Sequence, residues 1–204
     1  MKRKKIVGLV LCIILSIYFI GGIIYNFVLK EDKPSVKKEV NSLTIKGYDY
    51  LLYDNDLEIY KKEFKKLKNN LESDDINYLE YAYSISKMFI IDLYSLNTKN
   101  NKYDIGGVDF VHPDIIENYE LNVTNTINKY ILDNTNGDRK QELPEVKNVN
   151  IDSDEEIKFT IGEEEMDAYK INLSIEYVKD FGYDNKAELI IIKSDKYLYI
   201  VEKN

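Results

Sequence analysis

A run of 24 residues without a charge, positions 6–29, follows directly on Lys2, Arg3, Lys4 and Lys5, and it constrains first of all where such a chain can sit. As a helix rising about 1.5 Å per residue the run reaches about 36 Å, enough to cross roughly 30 Å of hydrocarbon with some tilt. The basic cluster on its short side predicts that this end stays in the cytoplasm and that everything after the run lies outside. A cleaved signal peptide would have an apolar core of only about 7–15 residues and an exit marked by small residues. Here the run closes instead on Tyr25, Asn26, Phe27, Val28 and Leu29. Cys12 follows Leu9, Val10 and Leu11 rather than a small residue, so it reads as a packing residue of the span and not as a lipid attachment site. The expectation is a single-pass cell-membrane protein held by a signal anchor. Residues 1–5 form a cytoplasmic basic end, 6–29 a transmembrane helix, 30–42 a linker and 43–204 one extracytoplasmic domain.

Composition narrows source and partners. Lys, Asn, Ile and Tyr supply 91 of the 204 residues, while Arg occurs only at Arg3 and Arg139 and Trp not at all. The codons of the four favoured residues are rich in A and T, which points to an AT-rich bacterial genome. Beyond the basic end, 24 Lys and Arg face 36 Asp and Glu. That balance excludes nucleic acid as a partner, because phosphate binding needs clustered Lys and Arg that release counterions. It also opposes lying flat on anionic lipid. With the only cysteine inside the span, disulfides have no part in the stability of the outer region.

Periodicity divides the outer region into elements. Residues 43–53 alternate as an extended lead-in, with a break at Gly47. Asp54, Asn55 and Asp56 offer capping oxygens to an amphipathic helix through Leu57, Tyr60, Phe64, Leu67 and Leu71. Ser73, Asp74 and Asp75 then cap a second helix, whose stripe of Tyr78, Ala82, Ile85, Phe89 and Leu93 is widened by Met88 and Ile90; it should be buried on more than one side. After Gly106 and Gly107 comes a short extended piece, 108–111. Pro113 suits the first turn of a third helix running to near Leu132. The remainder reads as an antiparallel meander with strands at 146–151, 156–161, 169–177, 187–193 and 197–201. The clearest places Tyr169, Ile171, Leu173, Ile175 and Tyr177 on one face, with Lys170, Asn172, Ser174 and Glu176 on the other.

Few residues offer chemistry. His112 is the only histidine, placed before a proline where a capping or packing role is expected. Asp92 interrupts an apolar helix; facing a cavity, it would be a candidate acid or base. No nucleophile elbow, zinc-type histidine pair, paired-cysteine motif or phosphate-cradling loop occurs. The acidic run 152–156 starts like a calcium loop but carries Ile157 where that loop demands Gly. No cofactor and no metal are therefore expected. The 18 tyrosines provide amphipathic contact area, and Tyr48, Tyr50 and Tyr53 cluster before the first helix as candidate binding residues.

Two helices, a short strand, a third helix and a meander is the order of the nuclear-transport-factor-2-like cone fold, which residues 54–204 resemble in element order. The resemblance implies an α+β class, with about three helices packed on a curved antiparallel sheet and a pocket at its wide end. Hung outside one N-terminal helix, such a domain is similar to the inner-membrane scaffold proteins of conjugative type IV secretion systems, which assemble and do not catalyse. The expected function is thus a non-enzymatic, membrane-anchored binding or scaffold domain contacting other envelope proteins, with self-association left open. The alternative is a small-ligand sensor or carboxylate-dependent enzyme that uses the cone pocket through Asp92 and His112.

Overall fold

The computed structural model describes residues 42–162 and 164–204; the anticipated span at 6–29, with the basic end and nearly all of the linker, lies outside them. Among the described residues no helix is long and apolar enough to cross a membrane. They form an α+β unit of three α-helices and a four-stranded antiparallel sheet, preceded by a small two-stranded ribbon.

The lead-in is not one extended strand. Strands β1 (Ser42–Thr44) and β2 (Leu51–Tyr53) pair with each other, Leu43 opposite Leu52, around a turn in which Gly47 takes a φ of 81°. Helix α1 (Glu58–Leu71) and helix α2 (Tyr78–Tyr94) follow the apolar spacing of the sequence, and Phe64, Leu67, Tyr81, Ile85, Met88 and Phe89 are almost completely buried. Their caps differ from those expected. Leu57 occupies the N-cap of α1 without a side-chain bond, because the Asp56 carboxylate accepts from the Tyr53 amide instead. Asn77 caps α2 by accepting from the Glu80 amide at 3.1 Å, held in place by Asn70, which bonds both the amide and the carbonyl of Asn77.

After α2 the chain makes three 3₁₀ turns, Leu96–Thr98, Val108–Phe110 and Pro113–Ile115. The extended piece foreseen at 108–111 reduces to Val111, which bridges in parallel to Ile200. Helix α3 (Ile116–Asn125) stops well short of Leu132. Its last turn is rich in Asn and Thr, whose side chains bond to nearby carbonyls and compete with the helical ladder. Asn125 and Thr126 bond back to Leu121 and Asn122, and the buried Asn128 amide reaches the carbonyls of Lys102 and Asp104.

The sheet runs β3 (Val146–Ile161), β4 (Glu164–Tyr177), β5 (Lys186–Ser194) and β6 (Tyr197–Lys203), each paired with the next. The two strands expected at 146–151 and 156–161 are one, and the register shifts by a residue between Ile151 and Ser153. A bulge of this kind moves every later side chain to the opposite face. Before it, Val149 joins Ile171, Leu173, Leu189 and Ile191 against the helices. After it, Ile157, Phe159 and Ile161 pack with Met166 on a second apolar cluster of Ala168, Ile190 and Ile192. The same odd-numbered spacing in sequence thus serves two cores.

Candidate functional site

The tyrosine-rich lead-in closes onto the domain. Tyr50 is only 3% exposed, and its hydroxyl shares a 2.6 Å hydrogen bond with that of Tyr81. The Tyr81 oxygen also accepts from the Leu198 amide at 3.3 Å. Tyr48 stands edge-on to Tyr197 at 5.4 Å, and the Tyr197 hydroxyl donates to Asp49 at 2.8 Å. Lys196 lies over both the Tyr48 and Tyr197 rings and donates to the Gly47 carbonyl. Of the three tyrosines expected at a binding surface, Tyr50 is therefore a core residue, and Tyr48 and Tyr53 are half-buried. The reason is spatial: the turn at Gly47 folds the segment against α2 and the start of β6.

Burial pushes the phenols of Tyr50 and Tyr60 well above their ordinary value, and Tyr81 is raised chiefly by the same cause. A phenol raised in the fold stabilises it fully below the unfolded value of about 10, and that contribution is lost as pH climbs from there toward the folded value. Alkaline titration at 295 nm should therefore show part of the tyrosinate signal emerging only together with loss of near-UV circular dichroism. Complete ionisation with the near-UV spectrum intact would contradict this packing.

Asp92 faces a small cleft of about 70 Å³ between the start of α1 and the end of α2. Its carboxylate receives the Lys99 ammonium at 2.5 Å and the Gly107 amide at 2.7 Å. Lys99 is buried, 3% exposed. The Lys99 carbonyl accepts from Arg139 at 2.7 Å, and the same guanidinium bonds the carbonyls of Asn97 and Leu132. Asp92 thus pins the loop after α2. Tyr60 lines the same cleft, and after burial the nearby carboxylates of Asp92, Asp109 and Asp56 add to the upward shift of its phenol.

His112 does not join Asp92 in that cleft. Its Nδ1 accepts from the Asp114 amide at 3.4 Å, capping the turn at Pro113, and its ring stands edge-on to Tyr199 at 5.4 Å. In the acidic run, Asp152 accepts from Ser174 on the neighbouring strand and Asp154 from Tyr83 on α2. Among the described residues no group of three or more His, Cys, Asp or Glu is placed to hold a metal ion.

Two features escaped sequence reasoning. Arg139 was visible as one of two arginines in a lysine-rich chain, at a place where a planar fork of donors has no lysine substitute. A second cleft, of about 440 Å³, opens between α2, α3 and β6; it carries no motif because its residues come from distant segments, with Leu93, Ile115, Val123 and Ile127 lining it together with Asp184 and Lys203. Compared with protein-family models, with curated proteins and with solved structures, the chain matches none.

Proposed function

We propose that this chain is a membrane-anchored extracytoplasmic binding domain that works as a scaffold in a bacterial envelope assembly. One observation carries the reading. Pairing of β4 with β5 ends at Ala168 opposite Ile192, yet β3 and β4 continue together to Ile161 opposite Glu164. The result is a two-stranded arm with apolar Ile157, Phe159 and Met166 on one side and the Lys158–Asp167 ion pair, Thr160 and Glu165 on the other. Among the described residues the outer edge of β3 has no partner strand. Exposed Asp152, Asp154, Glu155 and Glu156 lie along that edge, and such charge keeps copies of this chain from pairing edge to edge. A partner strand with basic side chains would instead gain both main-chain hydrogen bonds and charge complementarity.

The uncharged run at 6–29 and the preceding basic cluster support the anchored topology. The element order supports a nuclear-transport-factor-2-like cone, and with the tether it supports a role like that of the conjugative scaffold components.

The test uses the chain's single cysteine, replaced as Cys12→Ser, with Thr160→Cys on the arm or Lys65→Cys on the exposed side of α1. A membrane-impermeant thiol-to-amine crosslinker added to intact protoplasts should give one discrete adduct from position 160 and none from position 65. Equal products from both positions, or monomer alone from both, would refute the arm as the binding element. Labelling that appears only after lysis would refute the topology.

A further inference from the structure

We propose that the larger cleft binds a small zwitterion with an apolar side chain, the chemistry of a free aliphatic amino acid. This goes beyond the scaffold reading and does not depend on it. The cleft measures about 440 Å³, within the usual range for small-molecule sites, and its inner surface is built from Leu93 and Val123 with Ile115 and Ile127 beside them. Two opposite charges stand at it, Asp184 and Lys203. Both are placed around Tyr94. The Asp184 carboxylate accepts from the Tyr94 hydroxyl at 3.4 Å, while the Lys203 ammonium lies 5.5 Å from the centre of the Tyr94 ring. Neither forms an ion pair with a described residue, and they do not pair with each other.

The pairing of an apolar lining with two opposite, unpaired charges selects the ligand. A purely apolar molecule would fill the cleft and make no use of the exposed Asp184 or the half-buried Lys203. A simple anion would meet Lys203 but also Asp184, and a simple cation would meet both in the reverse sense. A molecule whose carboxylate reaches Lys203 and whose ammonium reaches Asp184, with a branched hydrocarbon chain directed between Leu93 and Val123, satisfies all three surfaces at once. The side-chain amides of Asn118 and Asn122 on α3 add neutral hydrogen-bonding groups on the same side of the cleft.

Calorimetric titration of the full chain in detergent tests this with three probes: L-leucine, 4-methylpentanoate, which lacks the ammonium, and 3-methylbutylamine, which lacks the carboxylate. Leucine should bind at least about ten-fold tighter than either analogue, since each analogue forfeits one charge-assisted contact. Lys203→Gln should weaken leucine by about ten-fold while leaving 3-methylbutylamine unchanged, and Asp184→Asn should weaken leucine and spare 4-methylpentanoate. Circular dichroism of each variant checks that the fold is retained. No binding of leucine at about 10 mM, equal binding of all three probes, or indifference of leucine to both substitutions would overturn the proposal.

Discussion

Replacing Gly106 by alanine should destabilise the domain by about 3 kcal/mol or more, among the largest effects of any single methyl group in this fold. A β-carbon built at Gly106 would stand 2.1 Å from the Asp92 carbonyl oxygen, 2.4 Å from its carbon and 2.8 Å from the Leu93 nitrogen. These are backbone atoms of α2, so no rotamer change relieves the overlap. Either the helix or the loop has to move, and the loop is fixed by the Gly107 amide on Asp92 and by the Tyr119 hydroxyl on the Gly106 carbonyl. Gly137→Ala is the control. Unlike Gly106 it has a φ in the left-handed region, 74°, but nothing stands within 4 Å of the added carbon, so it should cost only about 1–2 kcal/mol. Thermal denaturation followed by near-UV circular dichroism separates the two; equal losses would mean that the close approach at Gly106 costs no more than a left-handed φ does at an open position.

Gly106 and its neighbour Gly107 show what can be read from sequence. Gly106 and Gly107 announce a turn, but that one of them lies against a helix carbonyl depends on α2 being placed there by its core. Helices α1 and α2 were legible because their apolar spacing repeats over several turns, and the alternation of β4 was equally plain between Tyr169 and Tyr177. Local pattern fails where a distant contact decides. Tyr48, Tyr50 and Tyr53 have the chemistry of an interface, and only the positions of Tyr81 and Leu198 turn Tyr50 into a core residue. The hydrophobic spacing of β3 does not reveal a bulge, so Ile151 and Ile157 look equivalent although they belong to different clusters. Asp92 and His112 were visible as polar residues in unusual settings. Their separation in space, and the cleft formed by Asp184 and Lys203, follow from how the loops are closed.

Asp92 illustrates how a residue chosen for chemistry becomes an energetic keystone. Its side chain is 24% exposed and that of its partner Lys99 only 4%, so removing the carboxylate strands an ammonium with little access to water. Breaking one partner of a buried pair in this way typically costs about 3–5 kcal/mol, and the small cleft beside it, which lets Lys99 swing toward solvent, places the expected loss for Asp92→Ala near the lower end. Part of that loss comes from the Gly107 amide, which loses its acceptor. Lys99→Met removes the charge but keeps most of the buried stem, and Asp92 retains the Gly107 bond, so this variant should lose less. The double variant, Asp92→Ala with Lys99→Met, should then be more stable than Asp92→Ala alone, because no unpaired ammonium remains. Chemical denaturation of the four proteins closes this cycle. If Asp92→Ala costs as much in the Lys99→Met background as in the native one, the ion pair contributes nothing, and Asp92 supports the fold through its other contacts, the clamp on Gly107 among them.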